Sequence, residues 1–136
     1  MYRLVYVSKA VAALSDQDIG KILDVSASNN YERYITGFLV RSHGRFMQVL
    51  EGEESEVRAT FEKIAQDARH TCVTQIVGES VEGRAFPDWA MNYHRVDGPV
   101  GSTRMIVRRD DPVDSLMPAT TPRDLLHLFG KFITVR

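Results

Sequence analysis

Two stretches of this chain, Arg3–Ser8 (RLVYVS) and Arg45–Glu51 (RFMQVLE), carry apolar side chains on both of their alternating faces. In the first, Leu4, Tyr6 and Ser8 share one face and Val5 and Val7 the other. In the second, Phe46, Gln48 and Leu50 oppose Met47 and Val49. A strand that is apolar on both sides must be covered on both sides, so each is expected in the interior of a sheet. The 136 residues, 43% apolar and 26% charged, are enough for one globular domain with such a core.

The rest of the chain alternates around these strands. Ser15, with Asp18 three residues on, opens a helix in the manner of a capping box, and Ile19, Ile22 and Leu23 give it an apolar stripe. The stripe fades into Ser26–Asn30, residues that favour caps and turns. Ile35–Arg41 and Arg45–Glu51 flank Ser42-His43-Gly44, a glycine-containing hairpin turn, and Gly52 ends the second of them. Val57, Phe61, Ile64 and Ala68 recur at helical spacing. Cys72–Val77 and Trp89–Tyr93 read as further strands, joined by a polar connection containing Gly78, Gly83 and Pro87.

The order β-α-β-β-α-β plus one strand is that of an α+β, ferredoxin-like sheet with two helices on one face. In this reading the first and third strands are parallel neighbours at the centre. The pattern changes after Val96, which divides the chain into a domain over 1–96 and an extension over 97–136 punctuated by Gly98, Pro99, Gly101, Pro112 and Pro118. Thr121 as N-cap, Pro122 in the first helical position and Asp124 announce a tail helix near 122–134. Its stripe of Leu125, Leu128, Phe129 and Phe132 must pack on the domain or on a partner, because so short a helix is marginal alone.

Charge and cysteine content narrow the function. Seventeen Lys and Arg against 18 Asp and Glu leave a net charge of −1, which removes bulk attraction to nucleic acid or anionic lipid. Cys72 is alone, and His43, His70, His94 and His127 lack metal-binding spacing, so neither a disulfide nor a metal site is expected. No apolar run is long enough to span a bilayer and the N-terminus has no signal-peptide core, so the domain is expected in the cytoplasm.

Gln48 is the odd residue. Its strand is apolar on both faces, so its amide is buried with donors and acceptors to satisfy. A glutamine bonded to backbone or water is the plain explanation. Tyr6 poses the same question with a phenol. Adjacent strands would bring the two together in the gap under the helices, where a ligand with hydrogen-bonding edges and an apolar body would suit them.

SASNN followed by ITGFLV, then GRFMQVLEG, DARH and FPDWAM, resemble in order and spacing the flavin-binding blue-light sensors called the BLUF domain family. The resemblance runs from about Tyr2 to Tyr93, roughly two thirds of the chain. It implies a ferredoxin-like fold holding FAD noncovalently between two helices. By position, Tyr6 corresponds to a redox-active tyrosine, Gln48 to a glutamine bridging tyrosine and flavin, and Asn30 to an asparagine on the flavin's pyrimidine edge. Ile22 corresponds to an apolar residue along the ring. Arg69 and His70, with Lys63 and Asp67 behind them, correspond to polar residues on its other side. Trp89 and Met91 correspond to the tryptophan and methionine that relay the signal, and Ser8 lies near the tyrosine.

The implied function is a blue-light photoreceptor rather than an enzyme. Light drives an electron and a proton from Tyr6, and the Gln48 amide rearranges. A new hydrogen bond to the flavin then reddens its absorption, and the signal passes to a separate protein or through homo-oligomerisation. A small acylphosphatase-like enzyme and a flavin-free regulatory module are the alternatives on the same fold. The first would need an anion-cradling loop with an arginine, and Lys9–Ala13 offers none.

Overall fold

The computed structural model describes residues 1–11, 17, 18, 21, 28–42, 44–86, 92–95, 105, 106 and 121–134. Its strands are β1 (Tyr2–Ala10), β2 (Thr36–Ser42), β3 (Arg45–Gly52), β4 (His70–Ser80), β5 (Asn92–Arg95) and β6 (Met105–Ile106). Among the described residues the long helices are α1 (Glu54–Ala65) and α2 (Arg123–Thr134); most of the helix expected from Ser15 lies outside them. One sheet contains all six strands in the order β4-β1-β3-β2-β5-β6. The both-faces pattern placed β1 and β3 correctly in the interior.

Their direction differs from expectation. β1 and β3 are antiparallel, with Tyr6 opposite Gln48 and Leu4 opposite Leu50. The connection from β1 to β2 leaves those strands parallel in direction, and the hairpin through Gly44 then turns β3 back. β5 and β6 join parallel to β2 and to each other. The single extra strand expected over Trp89–Tyr93 is therefore a pair, Asn92–Arg95 and Met105–Ile106, the second lying within the extension. β4 is longer than Cys72–Val77 and carries two register shifts against β1, between Val5 and Tyr6 and between Val7 and Lys9. Cys72 sits at the second of them with φ 54°. α1 stops at Ala65, so Ala68 falls beyond it and is exposed.

Each face of the sheet has its own core. Tyr2, Leu4, Tyr6, Leu39, Phe46 and Leu50 pack with Ile35 and with Val57, Phe61 and Ile64 of α1. The opposite face presents Val5, Phe38, Val40, Met47 and Val49, and here α2 lies, through Leu125, Phe129 and Phe132. The tail helix thus finds its partner within the chain. Phe38 stacks on Phe86 at 5.8 Å and meets Phe129 edge-on at 5.3 Å. The start of α2 is one residue later than expected. Pro122 offers its carbonyl to Leu126 N–H, which makes Pro122 the cap, and the buried Thr121 hydroxyl makes no bond among the described residues.

Because Phe129 is fully buried against the sheet face that does not carry Tyr6, Phe129→Ala is expected to destabilise the fold by about 3–5 kcal/mol. Urea unfolding of the variant checks this, and a loss under 1 kcal/mol would mean that α2 contributes little to the core.

Helical backbone extends over 28–32, where caps and turns were expected. It ends in a Schellman closure: Ile35 N–H reaches the Asn30 carbonyl at 2.8 Å and Tyr34 N–H the Tyr31 carbonyl at 3.2 Å. The left-handed position is held by Tyr34, φ 56°, where glycine would be free of the ~1–2 kcal/mol cost. The Arg84 guanidinium compensates. It donates to the Tyr34 carbonyl, to Thr36 Oγ1 at 2.8 Å and to the Glu51 carbonyl at 2.9 Å, tying the turn to β2 and β3. Gly52 admits the turn, since a Cβ there would meet the Tyr34 carbonyl oxygen at 3.2 Å and the Ile35 side chain at 3.3 Å.

Candidate functional site

The Tyr6 phenol donates a short hydrogen bond to Gln48 Oε1, between directly opposed residues of β1 and β3. Both side chains are buried beneath α1, at 3% and 5% exposure. With the amide oxygen turned to the phenol, the amide NH2 is turned away from it. The Phe61 ring lies 5.5 Å from that of Tyr6, and His70 meets it edge-on at 6.3 Å. Burial, assisted by the negative charge of Asp67, pushes the Tyr6 phenol well above its ordinary pKa. Tyr6 is therefore a neutral donor at any physiological pH.

His70 completes the surround of the tyrosine. Its Nε2 lies 2.5 Å from the Ile64 carbonyl and its Nδ1 2.9 Å from Ser8 Oγ. A carbonyl only accepts, so Nε2 carries a proton, and in the neutral ring Nδ1 accepts from Ser8. This bridge joins β4 to the end of α1 and to the residue two beyond Tyr6 on the same face. The register shifts in β4 accompany this placement, because they insert extra residues opposite β1 at Tyr6 and Ser8.

Asn30 is buried at 3% exposure, in the last helical turn before the Schellman closure. That closure hands the chain to Ile35, which packs in the same core as Tyr6. Asp67 takes hydrogen bonds from Arg69 Nε at 2.8 Å and from the Arg69 backbone N–H at 2.9 Å. Chiefly for that reason its carboxyl is held down to about 2. Arg69 is exposed, and Lys63, in the last turn of α1, is exposed as well.

The structure thus sets two hydrogen-bonded pairs, Tyr6–Gln48 and Ser8–His70, side by side through the Tyr6–His70 ring contact, with the charge of Asp67 near the tyrosine. It buries Asn30 beside the same core and leaves Lys63 and Arg69 at the surface. Ile22, Trp89 and Met91 lie outside the described residues. One group escaped the sequence reading: Thr60 Oγ1 on α1 is buried with no hydrogen-bond partner among the described residues. A threonine on the flank of a helix gives no sequence signal that its hydroxyl is orphaned. Two buried amides, a buried phenol and an orphaned hydroxyl fit a flat ring with polar edges and an apolar body. Among the described residues no three His, Cys, Asp or Glu are grouped to hold a metal, and no helix is long and apolar enough to cross a membrane.

Comparison with known proteins bears on what that ring is. A family model described as BLUF, sensors of blue light using FAD, matches residues 1–92. The photoactivated adenylate cyclase subunit beta of Euglena gracilis is 34% identical over 89 residues, 65% of this chain and 10% of that protein. The chain is thus similar to about a tenth of that relative's length. A bacterial light-regulated adenylyl cyclase of known structure is 39% identical and superposes with a TM-score of 0.70, over 73% of this chain and 29% of that one. The dark-state structure of BlrB, a BLUF protein, is 29% identical at a TM-score of 0.67, over 93% of this chain and 82% of that one.

Proposed function

Since the chain belongs to the BLUF family, flavin-dependent sensors of blue light rather than enzymes in themselves, we propose that it binds FAD noncovalently and that Tyr6 and Gln48 convert light into a hydrogen-bond switch. The observation that carries this reading is the buried Tyr6 phenol donating to the Gln48 amide on the adjoining strand. When bound, the flavin supplies a chromophore for blue light that becomes a strong oxidant once excited.

The protein's own groups do the rest. Tyr6 is held neutral by burial, so it yields an electron only if its proton can leave as well, and Gln48 Oε1 is hydrogen-bonded to that proton. An amide has a donor end and an acceptor end. A half-turn about its terminal bond, or transfer of a proton to its oxygen, exchanges what Gln48 offers to the phenol and to the ring with almost no displacement. The strands hold both side chains rigid while this happens. Asn30 is the residue we assign to the ring's pyrimidine edge. Asp67, His70 and Ser8 hold the far side of the tyrosine, with Ile22 along the ring and Arg69 and Lys63 at its outer margin.

The change leaves the site through the sheet. Gln48 shares β3 with Met47 and Val49, whose side chains pack beneath α2 on the other face. We assign the signalling surface to that face and to Trp89 and Met91, and the recipient to an effector protein or a second copy of the chain.

Absorption spectra of the purified protein, in darkness and just after blue light, test this reading. The expected result is a flavin spectrum that moves slightly to the red and relaxes in the dark. A protein that remains colourless after incubation with FAD would overturn it, and bound flavin without a shift would overturn the switch while leaving the cofactor.

A further inference from the structure

The two flanks of α1 face different surroundings. On one, the Arg58 guanidinium lies over the Tyr2 ring at 4.9 Å, toward β4. On the other, Glu56 pairs with Arg33 at 3.5 Å, and Arg33 follows Asn30 by three residues. Val57, Phe61 and Ile64 lie between these flanks and meet the sheet. Thr60 stands one turn after Glu56 on the same stripe, so it faces the space between α1 and the segment that carries Asn30. Its hydroxyl is buried there and has no hydrogen-bond partner among the described residues. A helical threonine ordinarily bonds the carbonyl three or four residues back, here Val57 or Glu56, and this one does not.

We infer that the Thr60 hydroxyl is a flavin-binding group, taking a polar atom on the edge of the tricyclic ring; this rests on the flavin reading above. The ring, and not the phosphates, is the partner because Thr60 adjoins Phe61, which lies against Tyr6 at the level of the Tyr6–Gln48 pair. The Glu56 carboxylate, one turn away on the same stripe, would repel a phosphate. A hydroxyl can donate to a ring carbonyl or accept from a ring N–H, so either edge satisfies it.

The test uses the full chain freed of flavin and titrated with FAD and, separately, with riboflavin, which shares the ring but lacks the phosphates. Thr60→Val keeps the shape and removes the hydroxyl. It is expected to weaken both ligands by the same factor, roughly three- to tenfold. The flavin-free variant should melt no lower than the wild type, and up to about 3–5 °C higher, because an unbonded buried hydroxyl has been removed. Thr60→Ser should restore affinity. Unchanged affinity in Thr60→Val would overturn the inference and leave the hydroxyl to a bound water. A lower melting temperature in the flavin-free variant would make the residue structural, and weakening confined to FAD would overturn the assignment to the ring. If the wild type takes up neither ligand, the functional reading fails and this inference fails with it.

Discussion

Tyr6→Phe is expected to bind flavin and fold normally, and to show no red shift after blue light. The phenol that donates to Gln48 can give up both an electron and a proton, and phenylalanine can give up neither. Folding should survive. The ring keeps its place against Phe61, and the structural cost is that Gln48 Oε1 loses its donor, about 1–3 kcal/mol against a domain stability of about 5–15 kcal/mol. Difference spectra across the flavin bands check the outcome, with bound flavin measured after heat release as the control. A shift of wild-type size would mean that the electron comes from elsewhere and that Tyr6 is structural. Loss of flavin along with the shift would mean that the phenol serves binding, leaving its part in the switch unsupported.

That this pair could be found in the sequence depended on one pattern. The alternation in Arg3–Ser8 and Arg45–Glu51 demanded cover on both faces, which put two polar side chains, Tyr6 and Gln48, into the interior together. Their adjacency followed, and their relative direction did not. Direction depends on how the intervening connection and hairpin add up, and the β2–β3 turn reverses β3. Asn30 was singled out by position and is buried, and the backbone around it is helical where caps and turns were expected. The helical closure there places Tyr34, not glycine, in the left-handed position, so the usual C-terminal signal is missing, and Arg84, 50 residues away, holds the turn. Long-range compensation of this kind has no local trace.

The least legible residue is Glu51, which reads as the polar end of a strand and is in fact completely buried. Its carboxylate accepts from Arg3 Nε at 2.9 Å and from the backbone N–H groups of Ala85 and Phe86, both at 2.9 Å. Arg3 is also buried and faces it directly across β1 and β3. Glu51→Gln is expected to cost about 3–5 kcal/mol, because it sets an amide against a buried guanidinium whose remaining partner, Glu79, is half-exposed at 3.5 Å. Glu51→Ala should cost more, since it also orphans two peptide N–H groups at about 1–3 kcal/mol each. Many proteins would not fold at 25 °C after such a loss.

The informative variant is the double one, Arg3→Met with Glu51→Leu. Replacing both members of a buried ion pair with apolar residues is often neutral, so a simple pair would be fully rescued. Here rescue should be partial, because Ala85 and Phe86 still lack their acceptor and Phe86 must hold its stack on Phe38 without it. Urea unfolding of the four proteins in the cycle measures the coupling. Full rescue would show that the carboxylate serves only to neutralise Arg3. Partial rescue would show that it also anchors the backbone at Ala85 and Phe86. In that case the red shift should persist in any variant stable enough to bind flavin, since Glu51 lies on the face of β3 opposite to Gln48 and its work is to hold the backbone at Ala85 and Phe86.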